Sequence, residues 1–461
     1  MLPFFGPSDE SHAVGLAADK ATEPWNYASP YFYASYGSTY NRLTETTEEA
    51  VRFSRSEADP YVGVKDTWTY ASKDEAPDWR AEGAKDMSTL QTLGVARIAC
   101  HDPDFPQRGR EMSVRLPSTG RDMKFNCWLQ PGTAPLVYIA PGLGAHRLSL
   151  TPLSMAECLY LRGFSVVTTT SIFHPEFMER ASTSALPAYP PADCHDLLVA
   201  LTEIDRALEH KRPGKYGKRA LVGCSMGAFQ TLYLAAHEKK EGAGLLRFDR
   251  YVAIDTPVQL LHGVTCLDRF LNAPLAWPSG ERQARVNNAI HKAEKMDTLS
   301  STSVSDLPFE RAESQFLIGL TFRMTLRDAI YSSQTRQNMG VVRTPLSRWR
   351  REPCYQEILG FSYRDYFRRF VVPYYRQRGI GIPDFVREGN LMSCESSLRA
   401  QPKVRVLINR NDFLLTSQDV SWLESTFGPS RLKEFPDGGH LGNLGSERVQ
   451  KALVESLRGL Q

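Results

Sequence analysis

The feature that most constrains this chain is Gly223-Cys224-Ser225-Met226-Gly227, set between the apolar run Ala220-Leu221-Val222 and the stretch Ala228-Phe229-Gln230-Thr231-Leu232-Tyr233-Leu234. A short apolar run, a turn of small residues and a series of good helix formers read as strand, sharp turn and helix. Glycine on either side of the turn lets the backbone reverse tightly and lift the Ser225 hydroxyl above the sheet edge. The helix that starts just after the serine aims free backbone N–H groups at the same place, where negative charge would be stabilised.

A serine hydroxyl is a weak nucleophile at neutral pH. It needs a histidine to take its proton and a carboxylate to orient that histidine. Downstream, the apolar run over residues 403–409 ends in Arg410-Asn411-Asp412-Phe413, which puts Asp412 just past a strand. The next strand-like run, residues 432–435, leads into Pro436-Asp437-Gly438-Gly439-His440. Asp255 follows the apolar residues 251–254 and is a rival acid, although Asp255-Thr256-Pro257 also reads as the N-terminal cap of a following helix. Upstream, the apolar run over residues 135–140 leads into Pro141-Gly142-Leu143-Gly144-Ala145-His146. With Arg147 where a third glycine would stand, this loop is a poor dinucleotide-binding fingerprint.

These residues, in the order serine, aspartate, histidine, resemble the α/β-hydrolase superfamily over residues 95–461. The resemblance implies an α/β fold: a mostly parallel sheet flanked by helices, with a helical cap insert and an N-terminal extension. It implies Ser225 as nucleophile, His440 as base, Asp412 as the acid ahead of Asp255, and the amides of Leu143 and Met226 as the oxyanion hole. The implied activity is that of a carboxylesterase-like serine hydrolase working through an acyl-enzyme on a small-molecule ester, with no cofactor and no metal. Acyl transfer to an alcohol, peptide or thioester hydrolysis, and a catalytically silent binding module stay open on the same fold. The stretch from Ser225 to Gln230 is also similar to that of homoserine-type O-acyltransferases.

Alternating strand-like and helix-like segments divide the chain into an aromatic-rich extension over residues 1–92, core over 93–256, a helical insert over 257–402 and core again over 403–461. Opening strands are expected at residues 95–100, 111–116 and 123–129. Within the extension, residues 25–36 are dense in aromatics, residues 45–56 are helix-like and residues 59–86 read as loop. The insert carries nine arginines between Arg343 and Arg378 among interleaved aromatics. That bias fits either a solvated face with arginine stems over rings or a surface for an anionic ester, in which Arg368 and Arg369 would bind substrate. His174 is a further candidate at the rim of the site. A formal net charge of +3 over 461 residues gives no general affinity for nucleic acid or membranes. No apolar run has the roughly 20 residues of a membrane helix, and no signal peptide is visible at the start. Eight cysteines do not make a disulfide framework in a chain of this length, and only Cys354 and Cys394 are worth weighing as a pair.

Overall fold

The structure is a computed structural model and describes residues 85–240, 242, 244–296 and 303–461. The expectations for residues 25–36 and 45–56, and for nearly all of 59–86, fall outside these. Helix α1 (Met87–Thr92) comes ahead of a single sheet of eight strands, β1 (Arg110–Leu116), β2 (Arg121–Trp128), β3 (Ala134–Ala140), β4 (Ser165–Thr168), β5 (Tyr216–Cys224), β6 (Arg250–Ile254), β7 (Val404–Asn409) and β8 (Leu432–Phe435). Their order is β1-β2-β4-β3-β5-β6-β7-β8. Only β2 runs against its neighbours, and the pairs from β4 to β8 are all parallel.

The central strands are apolar on both faces because helices cover both. On β3, Leu136 and Tyr138 point into one core while Val137 and Ile139 point into the other. Helix α2 (Leu150–Leu161) packs on the Val137 side; α3 (Pro190–Lys211) and α4 (Met226–His237) cover the Tyr138 side. This sheet order, with a serine turn after β5, an aspartate loop after β7 and a histidine loop after β8, is the α/β-hydrolase fold.

Between β6 and β7 the chain is helical, and an isolated bridge between Gln259 and Asn390 is its one β pairing among the described residues. Helix α5 (Leu260–Leu271) opens this stretch and, beyond an intervening helix at Ser279–Glu294, comes α6 (Arg311–Arg336), in which every residue from 313 to 320 is buried. A helix buried on all sides is a central strut rather than a surface element. It crosses α5 so closely that a Cβ on Gly319 would lie 2.2 Å from the Leu271 nitrogen. The closing helix is α7 (Glu447–Ser456).

Two expectations fail. Residues 95–100 form no strand: Leu93–Arg97 is a tight helical turn continuing α1, and the sheet opens at Arg110. Their apolar side chains face a cavity and the edge of the second core rather than a partner strand. Asp255 caps no helix, since α5 starts at Leu260 behind Gln259.

The aromatic-rich part of the insert is mostly core. Tyr363, Tyr366, Phe367, Phe370, Tyr374 and Tyr375 are buried. Three of their hydroxyls satisfy one loop: Tyr374 accepts from the Ala185 nitrogen at 3.1 Å, Tyr375 donates to the Leu186 carbonyl at 3.0 Å, and Tyr366 donates to the Pro187 carbonyl at 2.8 Å. All eight cysteines are free thiols, Cys354 and Cys394 included. Among the described residues no helix is long and apolar enough to cross a membrane, and no cluster of His, Cys, Asp or Glu is arranged to hold a metal.

Candidate active site

Ser225 sits between β5 and α4 at φ 54°, ψ −122°, a conformation that costs a non-glycine residue free energy and persists only where the surroundings enforce it. The enforcement is visible. The Ser225 N–H donates to the Ile254 carbonyl at 2.9 Å. A Cβ on Gly223 would lie 2.1 Å from the Gly227 carbonyl oxygen, and one on Gly227 would lie 2.1 Å from that of Ala140. Both glycines are therefore required by close backbone approach, not by turn flexibility alone.

The β8 loop brings His440 to the serine, with Nε2 2.8 Å from Ser225 Oγ and Nδ1 2.7 Å from Asp412 Oδ2. All three residues are buried. The second oxygen of Asp412 accepts from the Leu414 N–H at 2.9 Å, which fixes the carboxylate plane. Burial pushes the His440 imidazole down, but the charge and hydrogen bond of Asp412, with the charge of Asp255, outweigh it and leave its pKa raised.

Asp255 lies beside this pair without touching the imidazole ring through any hydrogen bond among the described residues. Its carboxylate accepts from the Asn409 backbone N–H, the Asn409 side-chain amide and the Leu441 N–H, each at 2.9 Å. The Asn409 amide donates in turn to the Gly439 carbonyl at 2.8 Å. Asp255 and Asn409 thus tie the end of β7 to the histidine loop on both sides of His440. Burial, then the charge of Asp412, pushes the Asp255 pKa up.

Leu143 lines the cavity in front of Ser225, and a Cβ on its neighbour Gly142 would lie 3.2 Å from Ser225 Cβ. The N–H groups of Leu143 and Met226 have no acceptor among the described residues, and both follow directly on the residues that touch or carry the serine. Behind this loop, buried Arg147 donates to Asn126 at 2.7 Å and to Glu111 at 2.8 Å, and pairs with Glu176. The loop is also held by Ser171, whose hydroxyl accepts from the Gly144 N–H at 3.2 Å.

His174 is not in the cavity wall. It is buried at the start of the helix Pro175–Arg180, with Nδ1 accepting from the Glu176 N–H at 3.1 Å. Burial, then the neighbouring His146, lowers its pKa to about 3, so it is a neutral capping group rather than a rim residue. Arg368 and Arg369 also stand apart from the cavity. Both are exposed, and the Arg369 guanidinium lies over the Phe361 ring at 4.8 Å.

Several site-shaping residues escape the motif reading. Thr92 Oγ1 accepts from the His440 N–H at 2.8 Å, and Gln91 Oε1 accepts from the Gly438 N–H at 3.0 Å and the Asn411 amide at 2.8 Å. For Asn409 a signal existed, a lone amide ending an apolar strand; for Gln91 and Thr92 none did.

No family model and no curated protein sequence matches the chain. Among solved structures it is similar to an esterase from Pyrococcus furiosus at 11% identity and a TM-score of 0.42, over 78% of this chain and 96% of that one. A thioesterase domain from the curacin biosynthetic pathway gives 17% and 0.36, over 76% and 99%. A proline iminopeptidase from Mycobacterium smegmatis gives 12% and 0.37, over 76% and 97%. At this level of similarity the fold rests on the sheet order described above.

Proposed function

With the α/β-hydrolase fold as premise, we propose that the protein is a serine hydrolase that cleaves a carboxylic ester through an acyl-enzyme. The observation that carries this reading is the unbroken line from Ser225 Oγ through both ring nitrogens of His440 to Asp412, at 2.8 and 2.7 Å.

In this reading His440 Nε2 takes the Ser225 proton as Oγ attacks the ester carbonyl carbon, and the carbonyl π pair moves onto oxygen. The N–H groups of Leu143 and Met226 hold that oxyanion, and Asp412 stabilises the imidazolium. Collapse expels the alcohol, which receives the proton from His440. Water then attacks the acyl-serine by the same route and releases the acid. No redox or cofactor step is required for these bonds to balance.

The test is pre-steady-state hydrolysis of short p-nitrophenyl esters. A burst of p-nitrophenol stoichiometric with enzyme, followed by slower turnover, is the mark of an accumulating acyl-enzyme. Absence of turnover on every ester tried would refute the reading. Product formed only when an alcohol acceptor is added would move it to acyl transfer.

A further inference from the structure

The cavity in front of Ser225 holds about 150 Å³; no carboxylate, lysine or arginine lines it, and His440 is its one titratable side chain. Besides the loop after β3, the start of α2 and Leu441, its apolar lining comes from two walls: Leu93, Val95 and Ala96 just after α1, and Ile318 and Phe322 on α6. Apolar space of about this volume accepts a six-carbon ring, whereas a carboxylate placed against these walls would find no countercharge.

The first wall is fixed to the histidine loop rather than to the sheet. Besides the Thr92 and Gln91 hydrogen bonds to the loop, a Cβ on Gly439 would lie 2.2 Å from the Ser88 carbonyl and one on Gly442 would lie 1.8 Å from the Gln91 carbonyl. On its far side α1 meets the second wall, with Thr89 Oγ1 2.8 Å from Ser314 Oγ and the Gln315 amide donating to Asp86 at 3.2 Å. Whatever pushes on residues 93–96 from inside the cavity pushes on the loop that carries His440.

Resting on the reading of Ser225 as nucleophile, we propose that this cavity is an acyl pocket for a compact, uncharged acyl group, and that residues 92–96 are its selecting wall. Because that wall also braces His440, an acyl chain too long for the pocket lowers kcat and not only the affinity.

The experiment is a p-nitrophenyl ester series from acetate to decanoate, together with the succinate half-ester as an anionic match in size for the pentanoate. Wild type is expected to peak at about six carbons, to lose about tenfold or more in kcat by decanoate, and to turn over the half-ester about a hundredfold more slowly than the pentanoate. Ala96→Phe should shift the optimum to acetate, costing about tenfold or more on hexanoate. If that variant folds poorly, Val95→Ala should instead raise decanoate turnover. A flat chain-length profile, a half-ester turned over as fast as the pentanoate, or an Ala96→Phe variant that slows every ester alike would overturn the proposal. Those results with intact fluorophosphonate labelling of the wild type would leave the hydrolase reading standing; absence of labelling would remove both.

Discussion

The cavity has a polar floor and an apolar roof, and the two are built by different rules. The floor is made by loops at the ends of β5, β6, β7 and β8, where Ser225, Asp255 and Leu441 all have positive φ and each reactive side chain has defined partners. The roof is made by α6 and the turn after α1, where side chains only need to fit. A floor of hydrogen bonds fails when one atom is wrong, since an unpaired buried donor or acceptor carries its whole desolvation cost. A packed wall changes by degrees, with the volume of the side chain.

The largest effect is therefore expected on the floor. Asp412→Asn should cost about 10⁴ in kcat by leaving His440 in the wrong tautomer. It should also move the pH profile. In the proposed mechanism His440 must be neutral to act as base, and its pKa is raised in the folded protein, so the wild-type acid limb of kcat/KM should lie above the usual value of about 6.5. Without Asp412, burial is the largest remaining influence and the limb should fall below that value. A variant that keeps its limb above about 6.5 would show that another group supplies the charge.

Where roof meets floor, Thr92→Val should lower kcat by about tenfold with KM little changed, because the His440 N–H loses its acceptor. Thr92→Ser should restore the rate. A purely structural role would lower the melting temperature and leave kcat of the folded fraction untouched.

Asp255→Asn should affect folding more than chemistry. The new amide nitrogen would face either the Asn409 N–H or the two donors now on Oδ2, at a cost of about 1–3 kcal/mol in denaturant unfolding. Its kcat should stay well above that of Asp412→Asn; the reverse ranking would make Asp255 the partner of the histidine. The smallest effect belongs outside the cavity. Replacing Arg368 and Arg369 by Ala should leave the ratio of anionic to neutral ester turnover unchanged, and a selective loss on the anionic ester would return those residues to the site.

The same division decides what could be read from sequence. Ser225, Asp412 and His440 each end a local strand signal, so their place along the sheet edge follows from short-range pattern and chain order. For the roof the signal stops at the element. The apolar spacing of residues 316–326 reads as helix, as observed, but α6 is buried nearly all round, so the spacing does not tell which face meets the cavity; residues 95–100 alternate like a strand yet turn because their side chains meet a cavity and core rather than a neighbouring strand. Thr92 finds its partner 348 residues along the chain, and no local pattern encodes a contact at that distance. The arginine- and tyrosine-rich segment stays two-sided in the sequence for the same reason, although arginines over rings, one of its two readings, is what the structure has. Its hydroxyls serve carbonyls nearly two hundred residues upstream, which gives core tyrosines the look of a binding surface.

The central claim is that Ser225 is the nucleophile, and the direct measurement is mass spectrometry of the protein after reaction with a fluorophosphonate. Wild type should carry a single adduct on the peptide containing Ser225, and Ser225→Ala, a smaller side chain at the same turn, should fold and carry none. An adduct on another residue, or equal labelling of the two proteins, would contradict it.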